Sequence, residues 1–169
     1  MGDSEHAEET VNCLIEIPKG SRNKFEWDEE LQVIKLDRFL FSSVVYPLDY
    51  GFVLDTLGAD GDPLDAMVCV SEPTFPGCVI EIKPIALFRM HDDAGQDDKV
   101  VGVPVSDPNW NTLERLDDLP KQLQDEIAHF FGVYKTLEQE DVRVEGWFPC
   151  EEAWSQIEDS RRRLAESRE

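Results

Sequence analysis

Hydrophobic positions in the first two thirds of the chain recur with a period of two, which predicts β-strands. Cys13, Ile15 and Ile17 alternate with the residues between them, and Pro18-Lys19-Gly20 ends this segment. Further segments rich in Val, Ile and Phe predict strands at 66–70, 78–90, 99–105 and 142–148. Short strands separated by turns favour a small barrel or sandwich over a parallel sheet.

Turn-forming and acidic residues separate some of these strands at short range. Segments 24–27 and 31–41 flank the acidic stretch 28–30, and this arrangement predicts a hairpin. Segment 92–98 contains Ala94-Gly95 and predicts a tight connection between two strands. Segment 46–51 holds Tyr46 and Tyr50 among Pro and Gly residues, and we expect a loop there.

The period changes to that of a helix after Pro120, a residue suited to a first helical turn. The apolar positions that follow at helical spacing are Leu123, Ile127, Phe130, Phe131 and Tyr134. A second helix is predicted at 151–165, with three arginines at 161–163 near its C-terminal end, where cations suit the helix dipole. The pattern therefore predicts an α+β protein that is mainly β.

Length and charge limit the classes of function. The chain has 169 residues, with 16 Lys and Arg against 37 Asp and Glu, for a formal net charge of −21. This charge argues against binding to nucleic acids and to anionic membrane surfaces, both of which need a cationic face. No apolar run approaches the ~20 residues of a transmembrane helix. We expect an acidic flexible tail at 1–9 and a single domain at 10–169.

The cysteines predict a reducing compartment. Cys13, Cys69, Cys78 and Cys150 form neither a CxxC pair nor a metal-binding spacing with histidine. The N-terminal segment is acidic and has no apolar stretch of the kind that a secretory signal contains. We therefore expect free thiols and a cytoplasmic protein.

The segment 60–65 (DGDPLD) is the sharpest chemical feature. Asp60, Asp62 and Asp65 stand close together in a Gly- and Pro-containing segment, where their charges repel unless a cation joins them. Oxygen ligands of this kind suit a hard divalent cation. An exposed acidic turn is the simpler interpretation. An EF-hand does not fit, because Asp65 stands where that loop needs glycine.

A second acidic cluster lies at 92–98. Asp97 and Lys99 are two residues apart, so on a strand their side chains share one face. A carboxylate and an ammonium on one face could bind metal and phosphate together. The alternative is a solvated hairpin tip that includes Asp92.

A third set of residues could bind an oxyanion. Lys24 and Glu26 share a strand face, and Arg38 follows across the predicted hairpin. The guanidinium of Arg38 offers a fork of donors for phosphate oxygens. The alternative is a cross-strand salt bridge worth at most ~1 kcal/mol. Tyr50 and Tyr134 could likewise donate to phosphate, or cap the core with their hydroxyls in water.

These segments, in this order, resemble the soluble family I inorganic pyrophosphatases of the bacterial type. The resemblance runs from Glu16 to Trp147, and 60–65 matches the family signature. It implies a five-stranded OB-like closed barrel with two helices outside it. It also implies Mg²⁺-dependent hydrolysis of pyrophosphate to two phosphates, by water activated at Asp carboxylates, and a homohexamer. We expect Mn²⁺ or Zn²⁺ to substitute for Mg²⁺ and Ca²⁺ to inhibit.

The resemblance also implies the roles of individual residues. Asp62 is the expected acceptor of the proton from the attacking water, with Asp97 as the alternative. The expected metal ligands are Glu16, Glu26, Asp60, Asp65, Asp92 and Asp97. The expected phosphate-binding residues are Lys24, Arg38, Tyr50, Lys99, Tyr134 and Lys135.

Two positions depart from the pattern of the family. Asp93 stands where relatives often have Glu, and Gln96 where an acid is common. Both flank the second acidic cluster, so they put the outer metal positions in question. Three other functions stay open at this point: an oligonucleotide-binding barrel, a structural Ca²⁺-binding domain, and a phosphohydrolase for nucleotides or polyphosphate.

Overall fold

A computed structural model describes residues 9–169 of the chain. Within this range the elements are β1 (Val11–Ile17), β2 (Asn23–Asp28), β3 (Val33–Phe39), β4 (Asp49–Val53), β5 (Asp65–Val68), β6 (Val79–Asp92), β7 (Gly95–Pro104), α1 (Lys121–Val133), β8 (Arg143–Pro149) and α2 (Cys150–Ser167). The expected tail lies outside the described residues except for Glu9. The tail and the domain boundary therefore stay predictions.

Five strands close into a ring. The strands β1, β4, β5, β7 and β6 pair in that order, and β6 pairs back with β1. Each of these pairs is antiparallel except β5–β7, which is parallel. The strand β8 extends the sheet beyond β6, and β2 and β3 form a separate hairpin. The expected five-stranded barrel with two helices is confirmed.

The predicted loop around Tyr50 is wrong, because Tyr50 lies on β4. The glycine beside it suggested a turn, but Gly51 serves a close approach between strands. A Cβ atom at Gly51 would lie 1.8 Å from the carbonyl oxygen of Leu14 on β1. Only glycine allows β1 and β4 to pair at this point.

The acidic segment 92–98 is a tight hairpin with long paired arms. Asp92 of β6 pairs with Gly95 of β7, which leaves a two-residue turn, and Gly95 has φ +110°. Glycine adopts this angle without strain. The strand β7 thus begins four residues before the predicted start at Lys99, because its acidic residues find cations along the strand.

The two predicted helices are confirmed with small shifts at their ends. Pro120 is the N-cap residue of α1, just before the first helical turn. The helix α2 follows β8 without a loop and extends to Ser167. The arginines at 161–163 therefore lie before the last turn rather than in it.

Two hydrophobic clusters fill the protein. One draws on all five strands of the ring and on α2, whose Ala153, Trp154 and Ile157 are buried in it. The other lies under α1, where Phe130 and Phe131 pack against side chains of β5, β6 and β7. Leu87 of β6 and Val100 of β7 point into the first cluster, and their neighbours Phe88 and Val101 point into the second, so each strand serves both.

All four cysteines lie within residues 9–169 and are free thiols, and Cys13 and Cys69 are buried. Burial raises the pKa of Cys69 to about 12, so that thiol stays protonated. Among the described residues, no helix combines the length and apolarity needed to cross a membrane.

Candidate active site

Lys99 is the buried centre of the site, with 1% of its surface exposed. Its Nζ donates to Tyr50 Oη at 2.7 Å, to Asp65 Oδ2 at 3.0 Å and to Asp97 Oδ2 at 3.2 Å. The same Nζ lies 5.0 Å from the centre of the Phe131 ring. Two carboxylates, a phenol and an aromatic face therefore surround one ammonium group.

The sheet register brings these side chains together. Asp65 lies directly opposite Lys99 in the parallel pair β5–β7. Asp97 precedes Lys99 by two residues on β7, so both side chains point to the same face. The predicted shared face of Asp97 and Lys99 is confirmed by their ion pair. Tyr50 reaches the group from β4, on the other side of β5.

Burial and mutual charge set the protonation states. Burial raises the pKa of Asp65, the Lys99 charge opposes this shift, and the Asp97 charge adds to it. Burial alone would lower the pKa of Lys99, but Asp65 and Asp97 raise it above its ordinary value, so Lys99 is a cation. Burial also raises the pKa of Tyr50, whose hydroxyl donates to Asp65 Oδ2 at 2.9 Å. Tyr50 therefore acts as a neutral donor.

The loop between β4 and β5 places Asp60 and Asp62 near this centre. Both are exposed, and Asp60 Oδ1 accepts a hydrogen bond from the Asp62 amide at 3.0 Å. Partial burial raises the pKa of Asp62, and the charges of Asp60, Glu26 and Asp97 raise it further. Acids from β2 and β7 thus act electrostatically on Asp62, and a raised pKa suits a group that accepts a proton.

Glu16 lies on β1, at another side of the same acidic group. Its Oε2 accepts a hydrogen bond from the Trp27 amide at 2.8 Å. Burial raises the pKa of Glu16 to about 7, and the charge of Asp65 contributes to the rise. Since Glu16 and Asp65 influence each other, the expected ligands from β1 and β5 lie within electrostatic reach.

The β2–β3 hairpin carries the cations Lys24 and Arg38, whose backbones are paired across it. Lys24 Nζ lies 2.6 Å from Glu26 Oε1 and 3.1 Å from Asp37 Oδ2. Arg38 contacts Asp37, and its Nε donates to Glu138 Oε1 at 2.8 Å. The predicted same-face pair of Lys24 and Glu26 is confirmed. Each cation is held in place by two carboxylates.

Tyr134 and Lys135 follow the end of α1. Tyr134 is the C-cap residue and is buried against the Phe130 and Phe131 rings. Lys135 Nζ lies 3.3 Å from Glu140 Oε2. Within residues 9–169, no hydrogen bond or ion pair joins Lys135 to the Lys99 group.

A cavity of about 220 Å³ adjoins the Lys99 group. Asp60, Asp65 and Asp97 line it, together with residues of α2. Asp92 lies apart from this cavity at the tip of the β6–β7 hairpin, where its Oδ1 accepts a hydrogen bond from the Ala94 amide at 2.9 Å. The structure therefore gathers three of the expected metal ligands around one space.

The donor chemistry around this space fits a hard divalent cation, since the donors are carboxylate oxygens. Within residues 9–169, no three side chains of His, Cys, Asp or Glu are already grouped as a ligand set. Lys99 holds the carboxylates of Asp65 and Asp97 instead. The donors fit Mg²⁺, and the individual ligand roles stay predictions.

Sequence reasoning missed an ion cluster behind the site. Arg89 of β6 grips Asp98 with two hydrogen bonds, Nε to Oδ1 at 2.7 Å and Nη2 to Oδ2 at 3.1 Å. Arg89 Nη2 also reaches Glu152 Oε1 of α2 at 3.0 Å, and Gln96 Nε2 donates to Asp98 Oδ2 at 2.9 Å. A signal existed: Asp98 alternates with Asp97 and Lys99, so its carboxylate faces the other way and needs its own cation.

Asp49 is a second residue that the sequence analysis did not single out. It is fully buried, and its Oδ1 accepts from the Lys19 amide at 2.8 Å. Its Oδ2 accepts from the amide and the hydroxyl of Thr74, at 3.1 Å and 2.6 Å. Asp49 thus fixes two loops beside Tyr50, its neighbour on β4.

Comparison with known proteins gives the family. The family model described as "Inorganic pyrophosphatase" matches residues 13–165. An inorganic pyrophosphatase of Methanosarcina mazei is 54% identical over 162 residues, which are 95% of this chain and 96% of that one. An inorganic pyrophosphatase of Streptomyces coelicolor is 52% identical over 154 residues, covering 90% of this chain and 94% of the other.

Solved structures agree in fold and length. The inorganic pyrophosphatase of Thermus thermophilus superposes with a TM-score of 0.91 at 39% identity, covering 98% of this chain and 97% of that one. The one from Coxiella burnetii gives a TM-score of 0.88 at 40% identity, with coverages of 92% and 95%. Because the family model, the relatives and the fold coincide over nearly the whole chain, this protein belongs to the inorganic pyrophosphatase family.

Proposed function

We propose that the protein hydrolyses inorganic pyrophosphate to two phosphates with the help of Mg²⁺. The observation that carries this proposal is the buried Lys99, which joins Tyr50, Asp65 and Asp97 beside a cavity lined by carboxylates. Such a site offers donors for phosphate oxygens and anionic oxygens for cations. Both are needed by a substrate that carries several negative charges.

The cations and hydroxyls of the site position the substrate. Lys99 supplies donors on the side of the phosphorus that is attacked. The residues proposed to hold the leaving phosphate are Lys24, Arg38, Tyr50, Tyr134 and Lys135. Pre-placed donors of this kind are the main protein contribution to phosphoryl transfer, because they need no reorganisation as charge moves.

A carboxylate must take the proton of the attacking water. Asp62 is our first choice, because partial burial and the neighbouring charges of Asp60, Glu26 and Asp97 raise its pKa above its ordinary value. Asp97 is the alternative, but its carboxylate accepts a hydrogen bond from Lys99. That contact already engages one oxygen of Asp97, so Asp62 stays the first choice.

The cation sites are assigned from the acids that the fold gathers. Asp60, Asp65 and Asp97 would hold a first Mg²⁺ at the cavity. Asp92 and Asp97 would hold a further ion that arrives with the substrate. Glu16 and Glu26 would reach an outer ion, mostly through water. Bound Mg²⁺ would neutralise substrate charge and make a water molecule more acidic. We expect Mn²⁺ or Zn²⁺ to support some activity and Ca²⁺ to inhibit.

Phosphate release by the purified protein tests the proposal. Pyrophosphate is supplied with Mg²⁺, with Mg²⁺ plus excess chelator, and with Ca²⁺ in place of Mg²⁺, and ATP replaces pyrophosphate in a fourth arm. We expect rapid release only from pyrophosphate with Mg²⁺. Release from ATP at a similar rate would point to a broader phosphohydrolase. No release with any divalent cation would overturn the proposal.

We propose further that copies of the chain associate. Phe39 and Phe41 are exposed and in contact, with ring centres 5.3 Å apart, and Leu36 of the same hairpin is also exposed. Apolar side chains grouped this way on a surface favour contact with another surface. The resemblance suggests six copies, and sedimentation equilibrium would measure the number.

Two remaining expectations also belong to this proposal. The free thiols support a cytoplasmic location, which fractionation of cells would test. The ring order β1-β4-β5-β7-β6 with its parallel β5–β7 pair supports the OB-type designation of the barrel.

A further inference from the structure

The loop that carries Asp60 and Asp62 is closed at its base by a buried threonine. Thr56 Oγ1 donates to the Val53 carbonyl at 2.6 Å and accepts from the Leu64 amide at 3.0 Å. The Val53 amide donates to the Leu64 carbonyl at 2.8 Å. The two ends of the loop are therefore fixed to each other, independently of the acidic residues.

The middle of the loop is attached to α2 instead. The Leu57 amide donates to the Ser160 carbonyl at 3.1 Å, and the Leu57 carbonyl accepts from Arg163 Nη1 at 2.8 Å. Both backbone polar groups of Leu57 thus bind one helix. Since the first of these bonds uses only backbone atoms, Arg163 supplies the side-chain part of the attachment.

The attachment of Leu57 to α2 also constrains the positions of Asp60 and Asp62. The amide of Gly58, next to Leu57, donates to the Asp62 carbonyl at 2.6 Å. A Cβ atom at Gly58 would meet that carbonyl oxygen at 2.9 Å and Asp60 Oδ1 at 3.1 Å. The loop is so tightly folded here that a shift of Leu57 must move Asp60 and Asp62.

The helix itself is fixed to the other acidic segment. Glu152 in its first turn binds Arg89, and Arg89 grips Asp98, the neighbour of Asp97. From Glu152 to Ser160 the helix rises ~12 Å. One rigid element therefore spans from the start of β7 to the loop, and it borders the cavity between them through Gln156 and Ser160.

We propose that Arg163 is a positioning residue for metal binding, because it holds the Leu57 carbonyl and thereby places Asp60 and Asp62 opposite Asp65 and Asp97. This inference rests on the proposed function, since it takes Mg²⁺ as the ion to be bound. Arg163 makes no contact with the ion or the substrate in this scheme. Its loss would weaken cation binding without removing any ligand.

The test compares Arg163→Gln with Arg162→Gln. Arg162 is the adjacent arginine of the same helix, and it pairs with Asp159 on the exposed surface. Calorimetric titration of Mg²⁺ into the substrate-free protein measures the dissociation constant directly. We expect Arg163→Gln to weaken Mg²⁺ binding about 10-fold, the scale on which residues that orient metal ligands act. Arg162→Gln is expected to bind Mg²⁺ as the unchanged protein does.

Steady-state kinetics and melting provide the second readout. We expect the Mg²⁺ concentration for half-maximal activity to rise about 10-fold with Arg163→Gln. We expect kcat at saturating Mg²⁺ to fall by less than this factor, because Asp62 moves with Asp60 but no reacting group is removed. Arg163→Lys keeps a cation that can reach the carbonyl, so it should restore part of the affinity. It also serves as the test variant if Arg163→Gln does not fold.

The outcomes separate this inference from the proposed function. If the unchanged protein hydrolyses pyrophosphate with Mg²⁺ and Arg163→Gln binds Mg²⁺ like Arg162→Gln, this inference alone is overturned. A lower Tm and a lower kcat with unchanged Mg²⁺ affinity would likewise overturn it, since Arg163 would then only stabilise the fold. An unchanged protein that neither binds Mg²⁺ nor hydrolyses pyrophosphate would overturn both.

Discussion

Two ion clusters lie on opposite faces of strand β7, and in each a cation joins two carboxylates. On the face that we call the site face, Lys99 joins Asp65 and Asp97. On the other, which we call the α2 face, Arg89 joins Asp98 and Glu152. Asp97, Asp98 and Lys99 are consecutive residues, so the alternation of a single strand separates the two clusters.

The two clusters differ in how fully their charges are satisfied. The Arg89 guanidinium donates two hydrogen bonds to the Asp98 carboxylate, and Gln96 donates a third. The Lys99 ammonium is shared between two carboxylates and a phenol, and burial still raises the pKa of Asp65. A saturated pair fixes strands and a helix in place. An acidic group with too little positive charge retains affinity for an incoming cation.

The largest expected effect comes from removing one carboxylate from each face and comparing the two variants. Asp65→Asn should lower kcat by about 100- to 1000-fold, the scale on which electrostatic groups of an active site act. Its fold should stay near normal, because a half-buried carboxylate with a raised pKa is replaced by a neutral isostere. Phosphate release and thermal melting measure the two effects.

Asp98→Asn is the matched control on the α2 face. It removes a carboxylate of the same size one residue from Asp97. Asp98 also borders the cavity, but Arg89 and Gln96 engage both of its oxygens. We therefore expect a lower melting temperature and a kcat within a few-fold of the unchanged protein. Activity of Asp65→Asn within a few-fold of the unchanged protein would contradict the assignment of the site face to catalysis.

The cations offer the next contrast. Lys99→Met leaves Asp65 and Asp97 facing each other without a cation, and Arg89→Met leaves Asp98 in the same condition. Breaking a buried ion pair from one side costs about 3 kcal/mol, so both variants should lose stability in urea titrations. Only Lys99→Met should also abolish turnover in the molecules that remain folded.

A double variant sharpens the same contrast. Lys99→Met combined with Asp65→Asn removes the cation and one of its carboxylates together. We expect it to regain part of the lost stability and none of the activity. If stability is not regained, the loss in Lys99→Met comes from packing against Phe131 rather than from unpaired charge.

Short-range patterns made the site face predictable from the sequence. Asp97 and Lys99 are two apart, so period two alone places them on one face. The position of Tyr50 was mistaken, because the adjacent Gly51 was interpreted as a turn residue. Position 51 needs glycine because the backbone of Leu14 on β1 approaches it closely. Leu14 is distant from Gly51 in the sequence, so no local pattern shows this contact.

The α2 face could not be predicted for the same physical reason. Arg89 and Glu152 are separated by 63 positions, and Arg163 and Leu57 by 106. Neither contact follows a local period, and each forms only once the barrel and α2 have packed. The exposure of Phe39 and Phe41 likewise cannot be predicted from the sequence. An apolar residue on a hairpin predicts burial, and only the folded sheet shows which face of the hairpin is covered.

A smaller effect is expected from removing the Tyr50 hydroxyl, which joins the Tyr50 ring to the ion cluster. The Tyr50 hydroxyl donates a hydrogen bond to Asp65 and accepts one from Lys99. Tyr50→Phe removes both bonds and keeps the ring packed against Phe131. We expect a loss of about 1 kcal/mol in stability and a fall of about 10-fold in kcat/KM. The matched control is Tyr46→Phe, since Tyr46 lies in the same aromatic group. Equal kinetic losses in both variants would show that the Tyr50 hydroxyl has no special role.

The smallest expected effect concerns Gln96 and tests to which face of β7 its side chain belongs. The family resemblance leads us to expect an acid there, so Gln96 raises the question of an altered outer metal site. Gln96 alternates with Asp97 and donates to Asp98 on the α2 face. Gln96→Glu would replace this hydrogen bond with a repulsion that Arg89 partly offsets, so we expect a stability loss of about 0.5–1 kcal/mol. Gln96 also borders the cavity. The Mg²⁺ concentration for half-maximal activity should still change less than about twofold, because the Gln96 side chain is directed to Asp98 and Arg89 rather than to Asp65 and Asp97. Asp93→Glu, the other departure, is the control at the exposed hairpin tip and should change neither quantity. A several-fold fall in the Mg²⁺ requirement of Gln96→Glu would instead assign position 96 to the site face, and the separation of the two clusters would then fail at this strand end.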